Sequence, residues 1–375
     1  MKLRVLVLGA GFGGLELSST LSEAMGDQLD LTLIDQHDTF YFGFSKLDVM
    51  FGHKTPDAVK IPYSSITKPG VRFSKETITS IDPLAKTVTT DKGVHTADVL
   101  VVALGADYDF GATSGLAEYG NEYYSFEGAK KLRDIIPTFK KGHAIVGVCG
   151  APFKCPPAPS EAALMLHDHL SSTGLRDACT ISLVMPFGSP IPPSPDSSKA
   201  LITAFEERGI RFIPQHKVSS LREKTAILDD GTELPFDLFL GIPKHVAPDV
   251  VLQSGLVENG WIPVDRSSLL TKVPNVYAIG DVTSVGTPKA GVFAEGAAKT
   301  AAAAILAAHR GKENDLPYAG AGSCYIEFGK GEVARVDVDF FSGPKPFGIH
   351  HTASEALVID KEHFGSSRKA RWFGL

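Results

Sequence analysis

Cysteine is scarce in this 375-residue sequence, with four in all, and tryptophan scarcer, with two. So few cysteines, after an N-terminus that carries no visible export signal, exclude a secreted disulfide framework. Any disulfide here is expected to be working chemistry rather than a staple. A large charge excess is also missing. The formal net charge of −6 gives no basic footprint, so no nucleic-acid partner is expected. No stretch approaches the roughly 18 apolar residues of a membrane-spanning helix. The short run Val5 to Leu8 stops at a glycine motif and reads as a first strand, not a signal peptide. Short repeats, low-complexity tracts and long linkers are absent, and no metal centre is expected. What remains is an ordinary globular composition, 43% hydrophobic and 21% charged, long enough for two or three packed units.

One pattern does occur twice: a strand, a glycine-bearing turn and a helix. The first copy runs from Val5 to Leu21, the second begins near Ala144-Ile145-Val146-Gly147. The strand Leu31–Ile34, ending in Asp35, follows the first copy. Cys179 to Val184 follows the second. Apolar strands alternating with helical segments predict parallel sheets covered on both faces. Two more strands are expected from Asp98 to Gly105 and from Val276 to Asp281, with an alanine-rich helix over about Glu295 to His309. From Gly322 the pattern changes to the alternation of antiparallel strands, as in Val333 to Phe340. The expected class is α/β: two Rossmann-like domains plus a small C-terminal α+β domain. Their expected bounds are 1–110 with 265–315, then 111–264, then 316–375.

The first turn reads Gly9-Ala10-Gly11-Phe12-Gly13-Gly14, giving GxGxxG at Gly9, Gly11 and Gly14. In such a motif the first glycine permits the tight turn and the second lets a pyrophosphate approach the backbone. The third lets helix and strand pack closely. The helix N-terminus then offers N–H groups and a partial positive charge to phosphates. Asp35, about 20 residues on at a strand end, suits ribose hydroxyls. The distant pair Gly280-Asp281 resembles the second FAD fingerprint of the pyridine nucleotide–disulfide oxidoreductase superfamily. The resemblance implies FAD, with Asp281 on the ribityl chain and the following helix aimed at the flavin. It also brings the strand end at Gly105 near the dinucleotide. Lys289, in Thr287-Pro288-Lys289-Ala290-Gly291, would stand as a cation beside the reduced flavin.

The second turn lacks the matching fingerprint. It reads Gly147-Val148-Cys149-Gly150-Ala151-Pro152-Phe153-Lys154-Cys155-Pro156-Pro157-Ala158-Pro159, with no third glycine and four prolines that remove N–H donors. The next strand ends in Met185-Pro186-Phe187, without an acid for a ribose. NAD(P)H is therefore not expected as the electron donor. Cys155 instead stands just before a helix starting near Ser160, a setting that favours thiolate, and Glu161 follows it. Cys149 and Cys179 read as core residues.

The run Cys155-Pro156-Pro157-Ala158-Pro159-Ser160-Glu161, the lysine loop and Ser323-Cys324-Tyr325 together resemble the sulfide:quinone oxidoreductases and the flavoprotein subunit of flavocytochrome c sulfide dehydrogenase. That resemblance implies that Cys155 and Cys324 meet as a redox disulfide or polysulfide bridge. Hydrosulfide would open the bridge, the freed thiolate would pass an electron pair to the flavin, and Glu161 would move protons. Two family features are missing. No cysteine precedes Cys149, which excludes a three-cysteine mechanism. The loop Thr39–Phe44 holds no cysteine for covalent flavin, so FAD is expected to be non-covalent. A quinone acceptor needs an apolar pocket, for which Phe340, Phe341, Phe347 and Phe364 are candidates. The tail Arg368–Leu375 mixes cations and aromatics as interfacial segments do. The implied partners are thus sulfide, a quinone and, through that tail, a membrane surface. The implied location is the cytoplasm, peripheral on the inner face of the cell membrane. A homo-oligomer is left open. Two competing readings are a type II NADH:quinone dehydrogenase and an electron-transfer subunit that docks on a cytochrome.

Overall fold

The computed structural model describes residues 2–375. Strand Leu3–Leu8 runs through the turn at Gly9 into helix Phe12–Met25, and strand Leu29–Asp35 returns parallel beside it. Both strands are nearly continuous runs of buried aliphatic residues, as a sheet covered on two faces requires. They centre a five-stranded sheet whose members are, in spatial order, Val276–Ala278, Val99–Val102, Leu3–Leu8, Leu29–Asp35 and Val71–Lys75. All its neighbours pair in parallel. A late strand, Val276–Ala278, thus completes a sheet begun at residue 3.

The second five-stranded sheet repeats the plan. Its order is Asn121–Glu122, Leu238–Ile242, Gly142–Val148, Cys179–Met185 and Ile210–Pro214, again parallel throughout. Helix Ala158–Ser172 crosses from Gly142–Val148 to Cys179–Met185. Cys149 and Cys179 are buried at the ends of these strands. A three-stranded antiparallel sheet, Ala321–Gly329, Glu332–Asp339 and Phe347–Ser354, follows, and helix Glu355–Phe373 ends the described chain. The α/β architecture with parallel sheets is as expected. One face of the antiparallel sheet packs Ile326, Ala334 and Val336 into the core shared with Ala158–Ser172.

Two sequence expectations need correction here. The alanine-rich helix begins at Gly291, not near Glu295, because Ala290 is already extended and acts as its N-cap. Over Gly291–His309 that helix is long and apolar enough to cross a membrane by length and composition, although no such stretch was expected. It packs instead against helix Phe12–Met25, with Ala297, Ala298, Ala301 and Ala302 buried at the contact. Small side chains let the two helices approach, and the apolar composition reflects that core.

Candidate active site

Between the two parallel sheets and the C-terminal sheet lies a cavity of about 950 Å³. Gly9, Gly11, Asp35, Gly105, Gly280 and Asp281 all line it, as do Cys155, Glu161 and Cys324. At one end the first glycine turn is as tight as its motif implies. Gly9 has φ +100°, and a Cβ on Gly14 would lie 1.9 Å from the Gly9 carbonyl oxygen. By contrast a Cβ on Gly11 would meet nothing within 4 Å, so the cavity runs up to bare backbone there. Helix Phe12–Met25 has no side-chain cap and no acidic residue in its first turn, which leaves its N–H groups for an anion. Asp35 accepts from the backbone N–H groups of Ala10 and His37, each at 2.9 Å. A carboxylate has about four lone-pair sites, so two remain for hydroxyls.

The opposite wall is the strand end at Gly280-Asp281. Gly280 has φ +76°, and the Asp281 carboxyl is raised by burial and drawn back down by Lys154, Lys289 and Lys46. The uncapped N-terminus of Gly291–His309 opens on the same space through Ala290, Gly291 and Val292. Bare backbone at Gly11, free acceptor capacity at Asp35 and a half-buried carboxyl at Asp281, between two uncapped helix ends, fit a flavin dinucleotide.

Lys289 does not contribute its ammonium to this cavity. Its Nζ donates to the carbonyls of Asp281, at 2.5 Å, and Thr283, at 3.3 Å, and lies 3.2 Å from the Trp261 ring centroid. Burial pulls it down to about 8. The expected flavin cation is therefore a brace behind the cavity wall. Its loop matters through the main chain, since the Lys289 carbonyl accepts from the Cys155 N–H at 2.8 Å.

Cys155 sits at φ +51° in the proline loop, and its own carbonyl accepts from Ala158 N at 2.9 Å as the helix starts. Cys324 comes from the first C-terminal strand, Ala321–Gly329. Both thiols are free, and each borders the same core cluster. The helix-terminus argument for a Cys155 thiolate does not hold as it stands. Burial, the Glu161 carboxyl and the Cys324 thiol together push Cys155 well above the ordinary thiol range. Cys324 is pushed up to about 12, first by burial and then by Glu161. Glu161 is itself raised to about 7 by burial, opposed by Lys361 and by the hydrogen bond it accepts from Glu327 N at 3.1 Å. That bond ties Glu161 to the strand that carries Cys324.

Three cavity lysines were not anticipated. Lys154 is adjacent to Cys155, and its Nζ donates to the Ala106 carbonyl at 2.5 Å and to the Tyr108 hydroxyl at 3.3 Å. Lys46 donates to the Tyr124 carbonyl. Lys361, from the C-terminal helix, pairs with Glu327 and lies over the Phe44 ring at 5.1 Å. The Cys155–Pro159 run marked Lys154 by adjacency, but nothing in the sequence marked the other two.

Of the four phenylalanines proposed for an apolar pocket, Phe364 lines the cavity, beside Phe44 and Tyr325 at centroid distances of 6.4 and 5.6 Å. Phe340 packs on Phe293 and Phe341 on Tyr318, while Phe347 faces solvent. The tail is also corrected. Trp372 and Phe373 are buried, and Trp372 Nε1 donates to Glu16 Oε2 at 2.8 Å. Arg371 chelates the fully buried Glu16, with Nε 2.9 Å from Oε2, and Arg368 pairs with Glu295 at 2.7 Å. These residues fasten the helix to the first domain instead of standing free for a membrane. In the second turn, buried Phe153 stacks on Phe187 with ring centroids 5.6 Å apart, beyond the ends of strands Gly142–Val148 and Cys179–Met185.

The pyridine nucleotide-disulphide oxidoreductase family matches residues 3–308. A mitochondrial sulfide:quinone oxidoreductase of Mus musculus is 25% identical over 362 residues, covering 91% of this chain and 79% of that protein. A sulfide-quinone reductase of Aquifex aeolicus is 28% identical over 363 residues, covering 88% and 82%. A type II NADH:quinone oxidoreductase of Staphylococcus haemolyticus is 34% identical over 131 residues, 34% of this chain and 33% of that protein. Among solved structures, the sulfide:quinone oxidoreductase of Aquifex aeolicus superposes with a TM-score of 0.89 at 24% identity, covering 99% of this chain and 92% of that one. With its glycine turn, its second acidic strand end and its paired parallel sheets inside the matched span, this chain belongs to the pyridine nucleotide-disulphide oxidoreductase family.

Proposed function

We propose that this oxidoreductase is an FAD-dependent sulfide:quinone oxidoreductase, with the FAD held non-covalently. The observation that carries the reading is the presence of two cysteines, Cys155 and Cys324, on the cavity that the dinucleotide motif opens. The relatives named for sulfide and quinone, matched over most of both chains, support it. In this reading Gly9, Gly11, Gly14, Asp35, Gly105, Gly280 and Asp281 hold the dinucleotide. A bound FAD supplies a two-electron acceptor beside the cysteines.

The chain's own residues do the rest. Cys155 and Cys324 form the pair that hydrosulfide opens, one sulfur taking the incoming sulfur and the other leaving as a thiolate. Glu161, poised near neutrality, holds or releases the accompanying proton. Phe44, Phe364 and Tyr325, set edge to face, give an aromatic entry for a quinone ring, with Lys361 as the nearby donor to its carbonyl. Contact with a membrane surface from the cytoplasmic side belongs to the same reading. The buried tail shifts that contact to apolar side chains left exposed on the C-terminal unit, such as Phe347, Ile349 and Ile359.

The test is anaerobic titration with sodium sulfide while the visible flavin absorbance is followed, with NADH added to a parallel sample. Bleaching by sulfide and not by NADH is expected. Bleaching by NADH alone would overturn the proposal in favour of the type II NADH dehydrogenase reading.

A further inference from the structure

Strand Ala321–Gly329 is an edge strand of the C-terminal sheet, so the N–H groups on its outer side have no neighbouring strand to bond. One of them belongs to Glu327 and donates to Glu161 Oε1 at 3.1 Å. Tyr325 and Glu327, two residues apart on this strand, share a face, and both side chains reach helix Glu355–Phe373. There the Tyr325 hydroxyl donates to Asp360 Oδ2 at 2.9 Å, and Glu327 pairs with Lys361. Glu327 thus bonds through its main chain to the acid of the cavity and through its side chain to a cation of the cavity. Glu327 itself stands behind the cavity wall.

The destination of the ammonium is what matters. Glu161 is buried, yet among the described residues it has no ion pair, and the hydrogen bond on its carboxyl comes from the Glu327 main chain. Lys361 lines the same cavity but gives its ammonium to Glu327. A carboxyl bonded directly to an ammonium stays ionised, and an ionised carboxylate has no proton to give. We infer that Glu327 is a positioning residue for proton transfer in this cavity: its carboxylate holds the Lys361 ammonium off Glu161 while its N–H orients the Glu161 carboxyl, so that Glu161 carries the proton. The inference rests on the reading of Glu161 as the proton carrier and names what keeps it one.

The other groups facing Glu161 do not compete. Tyr123, Tyr124 and the thiols of Cys155 and Cys324 are pushed up by burial and stay neutral in neutral solution. Asp48, on helix Ser45–Met50, is paired with Lys54 at 2.9 Å. Lys361 and Glu327 are left as the charges that decide, the cation drawing Glu161 down and the carboxylate drawing it up. The step they set is one proton transfer in quinone reduction. The O–H bond of Glu161 breaks and one O–H bond of the hydroquinone forms, with the electron pair and the second proton drawn from the reduced flavin. The carboxylate left behind regains its proton from water.

The experiment is a pH titration of the FAD-loaded protein by difference infrared spectroscopy. It follows the C=O stretch of the Glu161 acid, assigned by its loss in Glu161→Gln. Wild type, with a midpoint expected at about 7, is compared with Glu327→Gln, Glu327→Asp and Lys361→Met. Glu327→Gln frees the ammonium and removes the opposing carboxylate, so the midpoint should fall by about one unit, a roughly tenfold loss of protonated Glu161 at fixed pH above it. Lys361→Met should raise the midpoint, and Glu327→Asp, which keeps the charge, should stay near wild type. Reoxidation of pre-reduced protein by a short-chain ubiquinone should follow the same shifts. An unmoved midpoint in Glu327→Gln, a fall in Lys361→Met, or a reoxidation profile that ignores the infrared shifts overturns the inference. Every variant keeps the main-chain N–H, and shifts of opposite sign are not what a general loosening of the fold produces. If Glu327→Gln loses its flavin spectrum, the sign of the Lys361→Met shift still decides. The infrared titration needs neither sulfide nor quinone, so a wild-type flavin that sulfide fails to bleach overturns the parent reading separately.

Discussion

The backbone N–H of Cys155 donates to the carbonyl of Lys289 at 2.8 Å, so the proline loop of the second domain is anchored to the loop that follows Gly280-Asp281 in the first. Lys289 continues the connection through its side chain to the carbonyls of Asp281 and Thr283. A cysteine, a lysine and the strand end at Gly280-Asp281 thus form one braced unit.

Lys289→Met should therefore act as a structural change. It strands two buried carbonyls and removes the contact over Trp261, at a cost of about 2 kcal/mol. The expected outcome is a lower melting temperature and faster loss of FAD. A changed flavin potential at unchanged melting temperature would instead make Lys289 a flavin cation.

Replacing Cys155 or Cys324 by serine should leave the flavin spectrum intact and slow sulfide bleaching by about 10³-fold or more, as loss of a nucleophile does. Cys149→Ser is the contrast. Its thiol is buried at a strand end and pushed up to about 12 by burial, so the change should lower stability and spare bleaching. Stopped-flow absorbance and thermal melts separate the two.

The glycines should divide in the same way. Gly14→Ala drives a methyl against the Gly9 carbonyl and should cost about 3 kcal/mol or prevent folding. Gly11→Ala meets no protein atom, so the apoprotein should melt normally while FAD binds at least tenfold more weakly. Fluorescence titration of apoprotein with FAD checks this.

Glu161 should give the turnover a pH dependence near 7. Its carboxyl is raised by burial, so below about 7 it carries its proton and above that it has lost it. Reoxidation of the flavin by a water-soluble quinone, if it draws that proton, should slow as pH rises through this value. Glu161→Gln should flatten the profile, which stopped-flow measurements on pre-reduced protein will show.

Arg371→Met should destabilise the fold by about 2 kcal/mol, less than for a fully enclosed pair because Arg371 is partly solvated. Burial opposes charge on Glu16, but the hydrogen bonds from Arg371 and Trp372 prevail and hold it below its ordinary value of 4.5. The stabilisation is therefore complete above that pH and is lost as pH falls through the lowered value in the fold. Melting curves of both proteins should converge on acidification.

Much of the fold could be read from the sequence because Gly9, Gly14 and Asp35 are constrained locally. A tight turn, a close helix and a strand-end carboxylate leave their marks within a short segment. Lys46 and Lys361 had no such mark. Each reaches the cavity by tertiary packing, from a short helix and from the C-terminal helix, and in sequence each looks like a surface lysine. Lys289 was misread for a related reason. Its loop is where the motif puts it, but the direction of the side chain depends on Trp261 and on two carbonyls that only the folded chain brings together. The tail misled through composition, since arginine beside tryptophan suits a lipid interface and a buried glutamate equally well.

The clasp between Glu16 and residues 371 and 372 also bears on how the protein is made. Helix Phe12–Met25 leaves the ribosome early, carrying an acidic side chain destined for a site with no access to water. Its partners Arg371 and Trp372 are translated some 355 positions later. Until then the first domain holds either a hydrated gap or a neutralised acid, so its final compaction is post-translational even if its strands pair during synthesis.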